Sequence, residues 1–394
     1  MSSIKQSPLD AFLHRDLKSG SMLDNSLYGI GRNTNGEFGL NNATGYTNYT
    51  LTGSQNVVDV WCSQGYLQLK SDGSLFATGY NTYGELGQGD IIYRSSPTQI
   101  PGVWDSFIND NGGQYHNGFA YKSDGSLWGW GYNAFGVLLT NNIFPRSSPV
   151  QVFAAGTYSK VSSSHSNLQL LKSDGTMWGV GYNAYGGLGQ VTDIVNRSSP
   201  VQMGTDTNWT DTASGHYFSL GLKNDGTLWG WGYNLYGELG QGDIVPRSSP
   251  VQIPGSWSDI GADIHVSYAR KTTDNKIYMW GYNSVGNFGK ENANPRSSPV
   301  LLGSDGNWKS VRTGYTYVTY MTDYNDNLWG AGSNGSYQLN PDGIPRSAPI
   351  QITTHGSVEK FSAGVSGAFV LEANNNLLGN LTSDPLTDQL YSRI

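Results

Sequence analysis

A block of sequence that recurs about every fifty residues constrains this chain more than any other feature. Its clearest copy runs from Lys223 to Asn234 as KNDGTLWGWGYN, followed by LYGELGQG and RSSPVQI. Aligned on the closing Asn, the block falls at Asn33, Asn81, Asn133, Asn183, Asn234, Asn283 and Asn334, with gaps of 48, 52, 50, 51, 49 and 51 residues. A degenerate eighth copy ends at Ser383. Such a period marks an array of supersecondary units, none of which can bury its apolar face alone. A length of 394 residues would otherwise suggest two or three domains. One closed array accounts for the whole chain instead.

Each unit reads as short strands and tight turns. In the fourth, HYFSLGL (216–222) alternates in polarity, and Asp225-Gly226 closes a hairpin because Gly accepts positive φ without steric cost. TLWGWGYN follows as a strand with Trp229 and Trp231 on one side and Gly230 and Gly232 on the other, where a neighbouring sheet approaches closely. After a long loop, Arg247-Ser248-Ser249-Pro250 introduces VQI, an edge strand, since Pro cannot donate to a ladder. Four strands per fifty residues is the arithmetic of a propeller blade.

The expected fold is all-β: a seven-bladed β-propeller over residues 23–394. Residues 1–22 are expected to be an N-terminal arm that docks a partner or stays unstructured. The strand before the turn occurs seven times, with turns at Asp72-Gly73, Asp124-Gly125, Asp174-Gly175, Asp225-Gly226, Asp274-Asn275, Asn325-Asp326 and Asn374-Asn375. The LWGWGYN-type strand occurs eight times if Leu27–Asn33 and Leu377–Ser383 both count. The chain thus starts part-way through one unit and ends part-way through another. We expect the ring to close by pairing, with Leu27 to about Gly53 completing a blade begun by Ile350–Leu381. An open solenoid would need polar capping repeats, and none is visible.

Composition excludes several function classes. Gly is 53 of 394, about twice the usual share, but there is no collagen period. A net charge of −7 argues against a nucleic-acid backbone as partner. Cys62 is the sole cysteine, which rules out an internal disulfide and a cysteine metal cluster. No secretory signal and no eighteen-residue apolar span are evident. The expected location is the cytoplasm or a virus particle.

GYNTYGELGQGD (79–90) and GYNLYGELGQGD (232–243), set behind a DG turn and ahead of a Pro-led strand, resemble the RCC1 family of seven-bladed propellers. The resemblance covers roughly residues 23–381. It implies four-stranded blades around a central channel, with function carried by loops on one face. Family members range from small-GTPase exchange factors that dock nucleosomes to regulatory domains of larger proteins, and fold alone carries none of these roles over. One departure is specific. The family's GxxHxxxL histidine position holds Gly65, Asn117, Asn167, Phe218 and Ser267, while His165, His216 and His265 lie nine residues before Asp174, Asp225 and Asp274.

Three repeated sets are candidate functional positions. Arg94, Arg146, Arg197, Arg247, Arg296 and Arg346 each precede a Ser and stand three residues before a Pro. In a ring they share one radius and height, either capping loop carbonyls and neighbouring blades or gripping an acidic or phosphate-bearing partner. Tyr83, Phe135, Tyr185 and Tyr236 follow the aligned Asn by two residues and are candidates for surface recognition. The three His raise a metal site, but equivalent positions on adjacent blades are expected to lie too far apart for one ion, so packing is the favoured role. No cofactor is expected. No nucleophile–base–acid set, P-loop or HExxH motif appears, so no enzyme is expected. The chain reads as a non-enzymatic protein-binding or structural component of a larger assembly, a virion-associated protein being one candidate. A lectin-like glycan binder is the alternative, ahead of a polysaccharide-active enzyme.

Overall fold

The computed structural model describes residues 25–62, 65–108, 116–190, 194–352, 354–364 and 367–373. Strands β1 (Ser26–Gly31) and β2 (Tyr46–Leu51) are followed by β3 (Val57–Cys62), β4 (Gly65–Lys70), β5 (Leu75–Gly79) and β6 (Arg94–Ile100). Then come β7–β10 (106–153), β11–β14 (160–202), β15–β18 (209–253), β19–β22 (257–301) and β23–β26 (310–351). The last strands are β27 (Val358–Ala363) and β28 (Gly367–Glu372). They form seven antiparallel four-stranded sheets, six of them consecutive meanders. The first strand of each meander touches a counterpart in an adjacent sheet, so it lies innermost, and the strand opened by the repeated Arg lies outermost.

The seventh sheet has the order β2-β1-β28-β27. The N-terminus therefore supplies its two outer strands and the C-terminus its two inner ones. Ring closure by pairing holds, but at a different boundary from the expected one. Ile350 pairs with Gly330 in the outer strand of the sixth blade, so the closing blade begins only at Val358. Strand β1 already fills the LWGWGYN position, pairing along its whole length with β28. The 1–22 arm, the Asn374-Asn375 turn and the decayed copy at 377–383 lie outside the described residues.

The core sits between blades, because each sheet is apolar on both faces. Leu67, Leu75, Ile100, Trp104, Phe107 and Trp130 bridge blades one and two, and Phe218, Leu239, Ile253, Trp257, Ile260 and Trp280 bridge four and five. The second Trp of the repeat strand donates its indole N–H to the preceding blade: Trp130 to Glu85 O at 2.7 Å, Trp231 to Gly187 O at 3.0 Å, and Trp280 to Glu238 O at 2.7 Å. Burial of a large ring with its one polar atom satisfied is what Trp does best.

One glycine explains why the repeat keeps both GYNxxG and RSS. Gly237 has φ +88°, and a Cβ there would lie 2.4 Å from Ser297 Cα on the next blade. The same contact joins Gly84 to Ser147 and Gly186 to Ser248. The Ser after each Arg thus packs against the backbone of the preceding blade, where any side chain would collide.

Candidate functional site

The two ends of the propeller differ in chemistry. One end carries the hairpin turns, where Asp72, Asp124, Asp174 and Asp225 each accept from the Ser or Thr two residues on, as Asp72 does from Ser74 N at 2.9 Å. Lysines accompany these turns at Lys70, Lys122, Lys172 and Lys223, the last three lying over Trp rings. At this end the channel opens into a cavity of about 310 Å³ lined by Asp59, Arg312, Glu359 and Lys360, with Lys360 Nζ 3.2 Å from Asp59.

The other end carries the long loops that follow each repeat Asn. These loops are organised from beneath. Asn234 is fully buried; its amide donates to Asp243 O at 3.2 Å and Val245 O at 3.0 Å, and its oxygen accepts from Leu239 N at 2.8 Å. Asn81, Asn133 and Asn283 repeat the arrangement. The sequence flagged this Asn only as an alignment mark; its structural role was missed, although its recurrence in every unit was the available signal.

The repeated arginines clip the same loops from the outer edge. Arg94 donates to Ile92 O at 2.9 Å and to Asp90 at 2.6 Å; Arg247 donates to Val245 O and to Asp243, both at 2.7 Å. Arg346 pairs with Asp342, while Arg146 and Arg296 reach Asn142 and Asn292 at 3.3 Å. Arg197 occupies the same strand start. Backbone contacts to Ile92 and Ile344 and the pull of Arg94 and Arg346 hold the carboxyls of Asp90 and Asp342 below the usual range. Each ion pair is open to solvent and weak, so it serves mainly to fix the loop.

Between Asn and Arg, five of these loops lift an apolar tip into solvent. The tips are Ile91-Ile92, Ile143-Phe144, Ile194-Val195, Ile244-Val245 and Ile344, all 54–65% exposed. They occupy blades one to four and blade six. The equivalents in the remaining blades are Ala293-Asn294 and Ala43-Thr44. Sequence reading missed this crown, since two apolar residues beside a turn read equally well as a strand end.

Inside the crown runs an aromatic belt containing all four aromatic candidates. Each leans edge-on against the GYN tyrosine of the next blade: Tyr83 on Tyr132 at 5.1 Å, Phe135 on Tyr182 at 5.0 Å, and Tyr236 on Tyr282 at 5.2 Å. Tyr185 lies 5.0 Å from Tyr233 in the same way. Tyr185 and Tyr236 are 38% and 36% exposed, so each ring is half packing and half surface.

Nearest the channel is an arc of four histidines, where three were expected. His116 joins His165, His216 and His265, at ring separations of 5.7, 5.2 and 6.2 Å along the arc. It escaped the spacing rule because it stands eight residues, not nine, before its turn Asp. His116 Nδ1 lies 2.8 Å from Glu85 Oε1, and His265 Nδ1 2.9 Å from Glu238 Oε1. These Glu–His pairs tie blade one to two and blade four to five. Burial, then neighbouring imidazoles, pushes His165 down to about 4 and His216 to about 3, so both are neutral near pH 7. The expected separation between adjacent blades is corrected here, for His216 Nε2 is 3.3 Å from His165 Nδ1 because the ring is tightest at its inner strands. Among the described residues, no three His, Cys, Asp or Glu are grouped to hold a metal.

The model of the Regulator of chromosome condensation (RCC1) repeat matches residues 72–117, 174–222 and 225–264, and a second model of the repeat matches 209–238. The chain carries RCC1 repeats on a seven-bladed propeller of RCC1-like fold. It is 34% identical over 133 residues to the ultraviolet-B receptor UVR8 of Arabidopsis thaliana, a stretch covering 33% of the chain and 30% of the receptor. It is 29% identical over 201 residues to the E3 ubiquitin-protein ligase HERC2 of Homo sapiens, covering 46% of the chain but 4% of the ligase. The matched stretches thus span under a third of these relatives. Among solved structures, Prp20p of Saccharomyces cerevisiae superposes with a TM-score of 0.79 at 17% identity, covering 98% of this chain and 100% of Prp20p. Human WBSCR16 superposes at 0.74 and 16% identity, covering 89% of this chain and 99% of that protein. At such identities the likeness is one of fold.

Proposed function

We propose that the protein is a non-enzymatic binding scaffold that engages a protein partner through the long-loop end of the propeller. The observation that carries the proposal is the apolar crown. Five loops hold large aliphatic and aromatic side chains in water on one end of the disc, and apolar surface of that extent on a folded chain marks an interaction site. The belt inside it adds rigid, half-exposed tyrosines, the residue type favoured at interface centres. A protein of this fold binds other proteins: yeast RCC1 (Prp20) has been crystallised bound to Kap60 and has binding properties toward Gsp1p and histones. In this reading the arginines are loop clips and not a ring that grips anions. The partner is held in a larger assembly, of which a virus particle is one form.

The test is hydrogen exchange on the complex recovered from its native source under mild conditions, with the partner identified. Protection should concentrate at 82–93, 134–146 and 235–246. Protection confined to the hairpin turns would place binding on the opposite end and sink the proposal. The half-exposed Tyr185 and Tyr236 favour one second reading, a glycan site on the belt. It requires glycan binding that Tyr236→Ala abolishes.

A further inference from the structure

The crown raises the question of what covers it. We propose that the occupant is a second copy of this chain, docked crown to crown with the two long-loop ends facing. The inference rests on the reading that this end binds protein and names the partner.

Area is the first argument. Nine crown side chains stand 54–65% exposed. At roughly 100 Å² each they offer about 900 Å² per copy, the same order as the ~800 Å² each partner gives to a standard stable interface. The belt tyrosines lie inside that perimeter and would be covered with it. Charge is the second. The chain carries −7 overall, so most pairings of two copies are repelled. On the long-loop end, however, Asp90, Asp243 and Asp342 are each neutralised by the Arg four residues on. Glu85 and Glu238 are buried against His116 and His265. The turn end presents its Asp row to water. Two copies facing through the long-loop ends therefore meet few unpaired carboxylates.

Shape is the third. Equivalent loops of a closed ring lie on one circle, so the tips form a level rim that a flat opposing surface meets all at once. Seven blades space the tips by one seventh of a turn. A two-fold axis across the disc lets each tip of one copy fall between two tips of the other, over the belt. The polar gaps at Ala293-Asn294 and Ala43-Thr44 break the seven-fold repeat, which leaves the four-blade apolar arc to set a single phase between the copies. Apolar tips resting on aromatic rings need no charge complement, so the contact should survive high salt.

Sedimentation velocity of the purified full chain, from about 1 to 100 µM, tests this. The expected result is a species of twice the chain mass that persists from about 0.1 to 1 M NaCl. The double substitution Ile92→Asp, Val245→Asp should weaken association at least ~100-fold, and the milder Ile92→Ser, Val245→Ser should weaken it in the same direction. These residues are exposed, so the thermal midpoint extrapolated to low concentration should not move. Asp225→Asn, on the turn end, should leave association unchanged. A monomer at the highest concentration overturns the inference, as does a dimer indifferent to both crown pairs. A monomer whose crown variants lose a different, identified partner overturns the second copy and leaves the protein-binding reading standing. A monomer whose native complex is protected only at the hairpin turns overturns both.

Discussion

Replacing Asn234 with Ala should cost about 3 kcal/mol, from a residue whose side-chain hydrogen bonds stay within its own loop. The amide is fully buried and makes both kinds of hydrogen bond. Truncation leaves the Leu239 N–H without its acceptor in a buried site, which costs ~1–3 kcal/mol. Val245 O keeps a second donor in Arg247, so its loss is smaller. The vacated volume adds about 1 kcal/mol. With an unfolding entropy near 2.1 cal/mol/K per residue over the roughly 350 positions of the propeller, ~3 kcal/mol lowers the thermal midpoint by about 4 °C. Calorimetry measures the shift, and hydrogen exchange at Leu239 and the 243–246 loop locates it. Asn234→Asp sharpens the test. Its carboxylate still accepts from Leu239 N–H, but its other oxygen faces the Asp243 and Val245 carbonyls that the amide had served, so it should destabilise at least as much. A wild-type midpoint for Asn234→Asp, or a loss under 1 °C for Asn234→Ala, would refute the idea that this Asn organises the loop.

Two further perturbations test the blade contacts. Gly237→Ala places a Cβ 2.4 Å from Ser297 Cα at a φ of +88°, and should destabilise by more than ~2 kcal/mol, seen as a lowered denaturation midpoint. Gly53→Ala, also at positive φ but with open space around it, should cost less. The depressed imidazoles predict an acid limb. His165 and His216 titrate near 4 and 3 when folded and near 6.5 when unfolded, so their contribution is complete above pH 6.5 and is lost as pH falls toward 4. The loss should be on the order of 2 kcal/mol, since both rings are only partly buried. Urea midpoints from pH 7 to 4 measure it, and His216→Asn should flatten the curve in that window; an unchanged slope would contradict the burial argument.

Much of the fold was legible because the repeat is written in residues with fixed local meanings. Asp-Gly pairs mark hairpins wherever they fall, and the Gly226 turn sits where its pair predicts, at φ +81°. Trp at alternate positions marks a strand with one packed side, and Trp231 is fully buried against the preceding blade. The closing boundary was less legible. Ile350 looks the same whether it ends the sixth blade or begins the seventh, and only its pairing with Gly330 assigns it. His116 was missed because a one-residue difference in a loop breaks a spacing rule without moving the side chain in space. The arginines were visible as a ring, but clip and grip predict the same spacing; the contacts of Arg94 and Arg247 to their own loops distinguish them.

The sequence by itself determined the number of units, the strands within each and the fact of ring closure, because turn residues and side-chain alternation act over a few positions and do not depend on neighbours far along the chain. Tertiary structure decided everything that lies between blades. It joined Gly237 to Ser297, Glu238 to His265 and Tyr236 to Tyr282. It also left the isoleucine tips uncovered, since exposure belongs to the closed ring and not to any one repeat. Those contacts pair residues of one unit with residues of the next at a distance set by the radius of the ring, and no spacing within a unit encodes that radius.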